Sequence, residues 1–192
     1  MTKWNLYDNF KGMENNVSKN LIIINGPPGI GKTTTCEELA KIIPRNVYLD
    51  CDCFMWATPY VVTDETENIR YENITFTTKN YLNCSEYNNV IINWVFVNQK
   101  AIDRILEQLD LTNVKVYVFS LLCNYNIWKT RMENDKINIK RKIDTTFYKW
   151  TKRIEEGYYE RINAIKIETS DKNAKQVAEI ILEIINSKDL KK

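Results

Sequence analysis

The chain of 192 residues contains no histidine, and this absence limits the chemistry that its side chains can perform. Neither an imidazole base nor an imidazole metal ligand is available, so a carboxylate must act wherever a general base is needed. The sequence also lacks an apolar run of membrane-spanning length and a recognisable signal peptide. We therefore expect a protein with no membrane partner.

The five cysteines form neither a C-x-x-C pair nor a zinc-binding pattern, and their odd number is typical of reduced thiols. This cysteine usage predicts a cytoplasmic protein. The formal net charge is only +2, and no long basic run interleaved with aromatic residues is present. A nucleic-acid partner is therefore not expected, and the length suits one domain that acts as a monomer or a small homo-oligomer.

Glycine is scarce, and three of the five glycines lie in one segment, Gly26-Pro27-Pro28-Gly29-Ile30-Gly31-Lys32-Thr33. The segment satisfies the pattern G-x-x-x-x-G-K-[ST] of the phosphate-binding P-loop. It follows the apolar run 21–25 and opens a helical stretch over 33–43, which is the strand–loop–helix context that the motif requires. The segment therefore predicts a binding site for a nucleoside triphosphate.

The residues of this loop have separable expected roles. Glycine allows the backbone N–H groups to curl around the phosphates, and the positive end of the helix dipole points at the same anion. Lys32 is expected to reach the β- and γ-phosphates, and the Thr33 hydroxyl to ligate Mg²⁺. Thr34 completes the predicted binding segment. The predicted cofactors are ATP and Mg²⁺.

Apolar runs alternate with helical periodicity along the rest of the chain, which predicts an α/β fold with three layers and a parallel sheet of about five strands. Right-handed crossovers would place the P-loop at the carboxyl edge of that sheet. Residues 1–20 are assigned to an N-terminal extension and 21–192 to a single domain. Asp64 and Glu67 are predicted to cap a helix that ends near Asn83. Strands are expected at 21–25, 47–49, 90–97, 114–120 and 164–167.

Two carboxylates follow the second strand, at Asp50 and Asp52. If strand geometry continues through both positions, the side chains point to the same face, at the edge where the P-loop lies. One carboxylate there can hold Mg²⁺ through water, and another can accept a hydroxyl proton during phosphoryl transfer. Asp at a strand end is also an ordinary turn residue, so both readings stay open here.

The P-loop and the D-x-D strand end together resemble the small-molecule kinases typified by shikimate kinase, gluconate kinase and chloramphenicol phosphotransferase. The resemblance covers the chain from about Leu21 onward. It implies that Asp50 lies near the metal and Asp52 beside the acceptor hydroxyl. It also implies an adenine contact from Arg131 and the loop containing Thr169, and a helical lid at about 126–160. In that lid, Arg141 would approach the phosphates with its neighbours Lys140 and Lys142.

The sequence departs from shikimate kinase after the third strand. The segment Ile92-Asn93-Trp94-Val95-Phe96 replaces the expected glycine triplet, which disfavours shikimate as the acceptor. Asn93 is either a polar group near the phosphates or an amide at the edge of the core. Aromatic side chains near Asp52 suit a planar or partly apolar acceptor such as a nucleoside. The candidate acceptor-binding residues are Phe54, Trp56, Arg70 and Trp94.

Phosphoryl transfer from ATP to a small molecule is the function that these patterns predict. A P-loop switch, hydrolase or motor is the main alternative, although the sequence has no Asn-Lys-x-Asp guanine signature and is short for an AAA+ module. A nucleic-acid end kinase would need a basic, aromatic groove. A scaffold that only binds nucleotide is disfavoured by the intact Lys32, Thr33 and Asp50.

Overall fold

The computed structural model describes residues 18–134 and 145–189. Five strands form one all-parallel sheet with the order β2-β3-β1-β4-β5, and helices lie on both of its faces. The predicted three-layer α/β architecture is confirmed. The strands are β1 (Lys19–Asn25), β2 (Asn46–Asp50), β3 (Asn89–Asn93), β4 (Val114–Leu122) and β5 (Ile165–Glu168). The helices are α1 (Lys32–Ile42), α2 (Asp64–Asn83), α3 (Gln99–Leu106), α4 (Tyr125–Asn134), α5 (Thr145–Glu155) and α6 (Ala174–Asp189).

The central strand β1 shows why the sheet needs two helical layers. Its apolar run 21–24 is completely buried, as expected for a parallel strand that is covered on both faces. Side chains alternate along the strand, so Ile22 and Ile24 pack with α1 and α6, whereas Leu21 and Ile23 pack with α2 and α3. Each layer therefore has its own core cluster. None of the described helices has the length and hydropathy needed to span a lipid bilayer.

Two local predictions are wrong. The third strand ends at Asn93 instead of Val97, because the N–H of Phe96 donates to the Asn25 Oδ1 atom at 2.8 Å and no longer to a strand ladder. The aromatic and β-branched composition of residues 94–97 fits a strand, but the Phe96 N–H is bonded to a side chain and not to a neighbouring strand. Helix α2 is capped by Thr63, which forms a reciprocal capping box with Thr66. Its end at Asn83 is confirmed.

A short 3₁₀ helix, Cys51–Met55, follows β2 directly, and the chain then has no regular secondary structure until α2 begins. This connection carries large apolar side chains into solvent. Trp56 is 85% exposed and Tyr60 is 57% exposed. The connection and α2 together form an insertion between the second and third strands.

Candidate functional site

The P-loop leaves the carboxyl end of β1 in a backbone conformation that favours glycine. Gly29 and Gly31 have φ angles of +73° and +104°, which L side chains rarely adopt. A Cβ atom on Gly29 would clash with the Met132 Sδ atom, whereas one on Gly31 would meet no atom within 4 Å. One side of the loop is therefore packed against α4, and Gly31 lies on the open side at the start of α1.

Lys32 folds back onto the loop. Its Nζ atom donates to the Pro27 carbonyl oxygen at 3.1 Å. Burial lowers the pKa of Lys32 to about 8, and the nearby carboxylates of Asp52 and Asp50 oppose that decrease. The cation is thus held beside two anions and has lost much of its hydration, so a phosphate group would be a favourable additional partner.

A hydrogen-bonded cluster joins α1 to the ends of β2 and β3. The Thr33 hydroxyl donates to the Asp50 Oδ2 atom at 3.0 Å, and the Tyr48 hydroxyl lies 3.2 Å from the same oxygen. The Asn93 side-chain amide donates to the Tyr48 hydroxyl oxygen at 2.9 Å and approaches Thr33 Oγ1 at 3.4 Å. Burial raises the pKa of Tyr48 well above its ordinary value, so its hydroxyl stays a donor. This network fixes the Asp50 carboxylate beside Thr33.

The Thr33 and Asp50 oxygens fit the requirements of Mg²⁺. This ion prefers hard oxygen ligands and usually takes only one or two from protein, with waters and substrate phosphates completing an octahedron. The part of the chain that the structure describes contains no group of three or more His, Cys, Asp or Glu residues that could enclose a metal. A site that depends on nucleotide phosphates as further ligands is consistent with this arrangement.

The expectation that Asp50 and Asp52 share one strand face is wrong. Strand β2 ends at Asp50, and Asp52 lies in the 3₁₀ helix that follows. Asp50 caps this helix, because its Oδ1 atom accepts from the Asp52 N–H at 3.1 Å. The turn residue and the candidate metal ligand are therefore the same side chain. Asp52 is exposed, and its charge still acts on Lys32.

Sequence reasoning missed Tyr48, although the signal was available. Tyr48 and Asp50 are two residues apart within β2, so strand alternation places both side chains on one face. Alternation does not extend to Asp52, because the strand ends before that residue. Asn93 is 1% exposed and contacts both Tyr48 and Thr33, which places it within this cluster.

Arg131 and Thr169 lie together beside the P-loop, on the side of α4. The Arg131 guanidinium donates to the Thr169 Oγ1 atom at 3.0 Å and to its carbonyl oxygen at 2.6 Å. It also approaches the Ile30 carbonyl oxygen at 3.4 Å. These contacts connect α4, the loop after β5 and the P-loop. Lys140, Arg141 and Lys142, the predicted lid cations, lie outside the described residues.

The four candidate acceptor residues do not form a single cluster, unlike the hydrogen-bonded residues around Asp50. Phe54 and Trp94 pack against the core cluster on the α2 and α3 side, and Trp94 makes an edge contact with Tyr71 at 5.3 Å between ring centroids. Trp56 extends into solvent. Arg70 is only 6% exposed, and its guanidinium Nε donates to the Thr66 carbonyl oxygen at 3.1 Å within the same helix.

The Arg70 charge has no anionic partner in the described residues. No carboxylate between 18 and 134 or between 145 and 189 lies within 4.0 Å of its guanidinium. Buried charges are normally paired, because removal from water is costly without a counter-ion. Helix α2, which carries Arg70, packs on the 3₁₀ helix that contains Asp52.

A family model described as an AAA domain matches residues 22–178, from the second half of β1 into α6. The chain belongs to the AAA domain family. The matched residues include the P-loop, the hydrogen-bonded cluster around Asp50, and the Arg131–Thr169 contact. No curated protein matches the sequence.

Solved structures share the fold over most of the chain. A shikimate kinase from Acinetobacter baumannii in complex with shikimate is 22% identical, with a TM-score of 0.64 over 91% of this chain and 97% of that one. A tunicamycin resistance protein from Deinococcus radiodurans is 20% identical, with a TM-score of 0.62 over 87% and 95%. A gluconokinase from Sinorhizobium meliloti 1021 is 10% identical, with a TM-score of 0.56 over 86% and 90%. At these identities the likeness shows the fold alone, which is that of P-loop kinases.

Proposed function

We propose that this chain is an ATP- and Mg²⁺-dependent kinase that phosphorylates a hydroxyl or phosphate group of a small molecule, with a nucleoside or nucleotide as one acceptor class. The observation that carries the proposal is the position of the Thr33–Asp50 pair beside the P-loop cation Lys32, with Asp52 next to them. Phosphoryl transfer depends mainly on positioning and charge neutralisation, and these four residues supply both kinds of group.

Each residue has a defined role in this proposal. Lys32 binds the β- and γ-phosphates, and Thr33 and Asp50 hold Mg²⁺, which supplies charge neutralisation when bound. Asp52 lies at the exposed side of the cluster, where it orients the acceptor hydroxyl or accepts its proton. Arg131 and the loop after β5, which the buried Thr169 side chain anchors to β4, form the contact surface for the base. Arg141 is proposed to approach the phosphates.

The candidate acceptor residues favour an acceptor molecule that carries negative charge. Arg70 is a buried cation without a carboxylate partner in the described chain, so an anionic group on the acceptor would satisfy it. Phe54 and Trp94 offer ring surfaces near the 3₁₀ helix, and Trp56 adds an exposed ring. We propose ATP and this acceptor as the partners, with no nucleic acid or membrane, and the five free thiols support a cytoplasmic setting.

The second candidate function is hydrolysis of ATP without an acceptor. The AAA domain description of the matching family favours this alternative. The two functions differ in product, because a hydrolase releases inorganic phosphate at a rate that does not depend on an added acceptor. A kinase forms a new phosphate ester in equal amount with ADP.

The experiment that tests the proposal is an ATP-consumption screen across nucleosides, nucleotides, sugars and phenolic or aminoglycoside-like antibiotics, with ADP and inorganic phosphate measured separately. The proposal predicts ADP formation that requires one class of acceptor and Mg²⁺. Lys32→Ala is the control for contaminating kinases, since it removes the phosphate-binding charge. Acceptor-independent release of inorganic phosphate would instead identify the hydrolase.

A further inference from the structure

Helix α4 contacts the P-loop at three successive residues. The Trp128 Nε1–H donates to the Pro28 carbonyl oxygen at 2.7 Å. The Met132 side chain occupies the space beside Gly29, and Arg131 approaches the Ile30 carbonyl oxygen at 3.4 Å. Positions 128, 131 and 132 lie on one helical face, so a single face of α4 follows the outer side of the loop.

Trp128 is completely buried, and the bond to Pro28 gives its indole N–H the partner that a buried donor requires. In a planar trans peptide the N–H points opposite to the carbonyl. A Pro28 carbonyl held toward α4 therefore directs the Gly29 N–H away from α4, into the curve of the loop. Rotation of this peptide would turn a carbonyl oxygen toward the bound anion instead.

The two prolines of the loop reduce the number of backbone N–H donors, so the orientation of the Pro28–Gly29 peptide matters more for phosphate binding. Pro27 and Pro28 have no N–H, so Gly29 supplies the first backbone donor after Gly26. The carbonyl of Pro27 already accepts from Lys32. The orientation of the Pro28 carbonyl therefore determines the direction of the Gly29 N–H. The indole N–H of Trp128 fixes that carbonyl by a hydrogen bond.

We propose that Trp128 is a positioning residue for phosphate binding: its indole N–H fixes the Pro28–Gly29 peptide, so that the Gly29 N–H is aimed at the phosphates before nucleotide arrives. The inference rests on the proposed function for the identity of the ligand. The geometry is that of the nucleotide-free protein and does not depend on the proposed function. Trp128 acts through the loop and touches neither ATP nor acceptor.

The binding test compares ATP with adenosine by calorimetry on the whole chain. Trp128→Phe keeps an aromatic ring but removes the N–H, and it should weaken ATP binding about tenfold, the value of one well-placed hydrogen bond. Adenosine has no phosphate and should bind the variant as it binds the natural chain. Tyr87→Phe is the control, since Tyr87 lies just before the start of β3, at the edge of the sheet opposite the P-loop, where its ring contacts Tyr81, and it should leave both affinities unchanged.

Backbone order in the nucleotide-free protein gives a readout that is independent of the proposed function. Amide NMR order parameters at Gly29, Ile30 and Gly31 should be those of a rigid backbone in the natural chain and should fall in Trp128→Phe. If that variant does not fold, β-(3-benzothienyl)alanine at position 128 keeps the ring shape without the N–H. Unchanged order parameters, or an equal loss of ATP and adenosine affinity, would overturn the inference, whereas a natural chain that binds no ATP would contradict only the proposed function.

Discussion

The nucleotide side and the acceptor side of this molecule differ in how their candidate residues are held. On the nucleotide side, Thr33, Asp50 and Asn93 come from three distant parts of the chain and still form one hydrogen-bonded cluster. On the acceptor side, Arg70 bonds only within its own helix, and Trp56 is 85% exposed. The first arrangement is complete without ligand, while the second has a buried charge without a carboxylate partner in the described chain and a ring exposed to solvent.

This difference indicates which of the two binding sites is determined by the topology of the sheet. The P-loop and the ends of β2 and β3 meet at the carboxyl edge of the sheet, so the topology alone brings their polar groups together. Three of the four acceptor residues, Phe54, Trp56 and Arg70, lie on the insertion between β2 and β3, which has no regular secondary structure between the 3₁₀ helix and α2. Such a connection can vary without disturbing the sheet, which is why the fold defines the nucleotide side and leaves the acceptor side to the insertion.

The broadest effect should come from removing the P-loop cation, because both ATP binding and phosphoryl transfer depend on it. Lys32→Ala should abolish most turnover, since one charge aimed at the transferred phosphoryl group is worth about 3 kcal/mol, or roughly 10²-fold in rate. The melting temperature should not fall, because the half-buried ammonium is partly desolvated in the free protein. Steady-state kinetics and a thermal melt measure the two quantities. Full turnover in purified Lys32→Ala protein would contradict the assignment of the nucleotide side.

The two aspartates should separate metal binding from acceptor activation. Asp52→Asn should slow transfer by about 10²- to 10⁴-fold, the usual value of a general base, with little change in Mg·ATP affinity. Asp50→Asn should weaken Mg·ATP binding and shift the Mg²⁺ dependence to higher concentration. Calorimetric titration followed by single-turnover transfer distinguishes them. If Asp52→Asn loses Mg·ATP binding while Asp50→Asn retains it, the two roles are reversed.

Arg70 tests the acceptor side alone. Arg70→Met should raise the KM for an anionic acceptor about 10- to 100-fold, since hydrogen bonds between charged groups contribute 1.5–3 kcal/mol. The KM for ATP should not change, and the melting temperature should hold or rise, because an unpaired buried charge is removed. Arg161→Met, on an exposed guanidinium over the Tyr158 ring, is the control. A large loss of stability in Arg70→Met would mean that the guanidinium is structural.

Much of the nucleotide side was predictable because its signals are local. The P-loop pattern, its glycines and the strand and helix around it identify the loop without tertiary information. The cluster at Asp50 was only half predictable. The sequence pattern does not show that β2 stops at Asp50, because capping of the 3₁₀ helix by that same side chain is decided by one hydrogen bond to Asp52.

The acceptor side was not predictable in the same way. The exposure of Trp56 and the burial of Arg70 depend on how α2 packs over the 3₁₀ helix, and the periodicity of α2 does not determine this packing. The end of β3 has a similar cause. Trp94, Val95 and Phe96 have strand-forming side chains, yet the Asn25 side chain takes the hydrogen bond that a ladder would need.

The smallest expected effect is a pH dependence on the nucleotide side. Burial lowers the pKa of Lys32 to about 8, so the free protein is about half protonated at this position at pH 8. Phosphate favours the charged form, so ATP binding at pH 8 should take up about half a proton, and affinity should fall as pH rises from 7 to 9. Calorimetry in buffers of different ionisation enthalpy measures the uptake. Lys32→Met should show no such component, and an identical proton uptake in that variant would assign it to another group.

The measurement that tests the central claim most directly is a ³¹P NMR time course of Mg·ATP with the chain and a panel of small-molecule acceptors. The proposed function predicts a new phosphate ester that appears in equal amount with ADP, requires one class of acceptor, and disappears in Lys32→Ala. Release of inorganic phosphate at the same rate with every acceptor, or with none, would contradict the kinase assignment and leave hydrolysis as the function of this site.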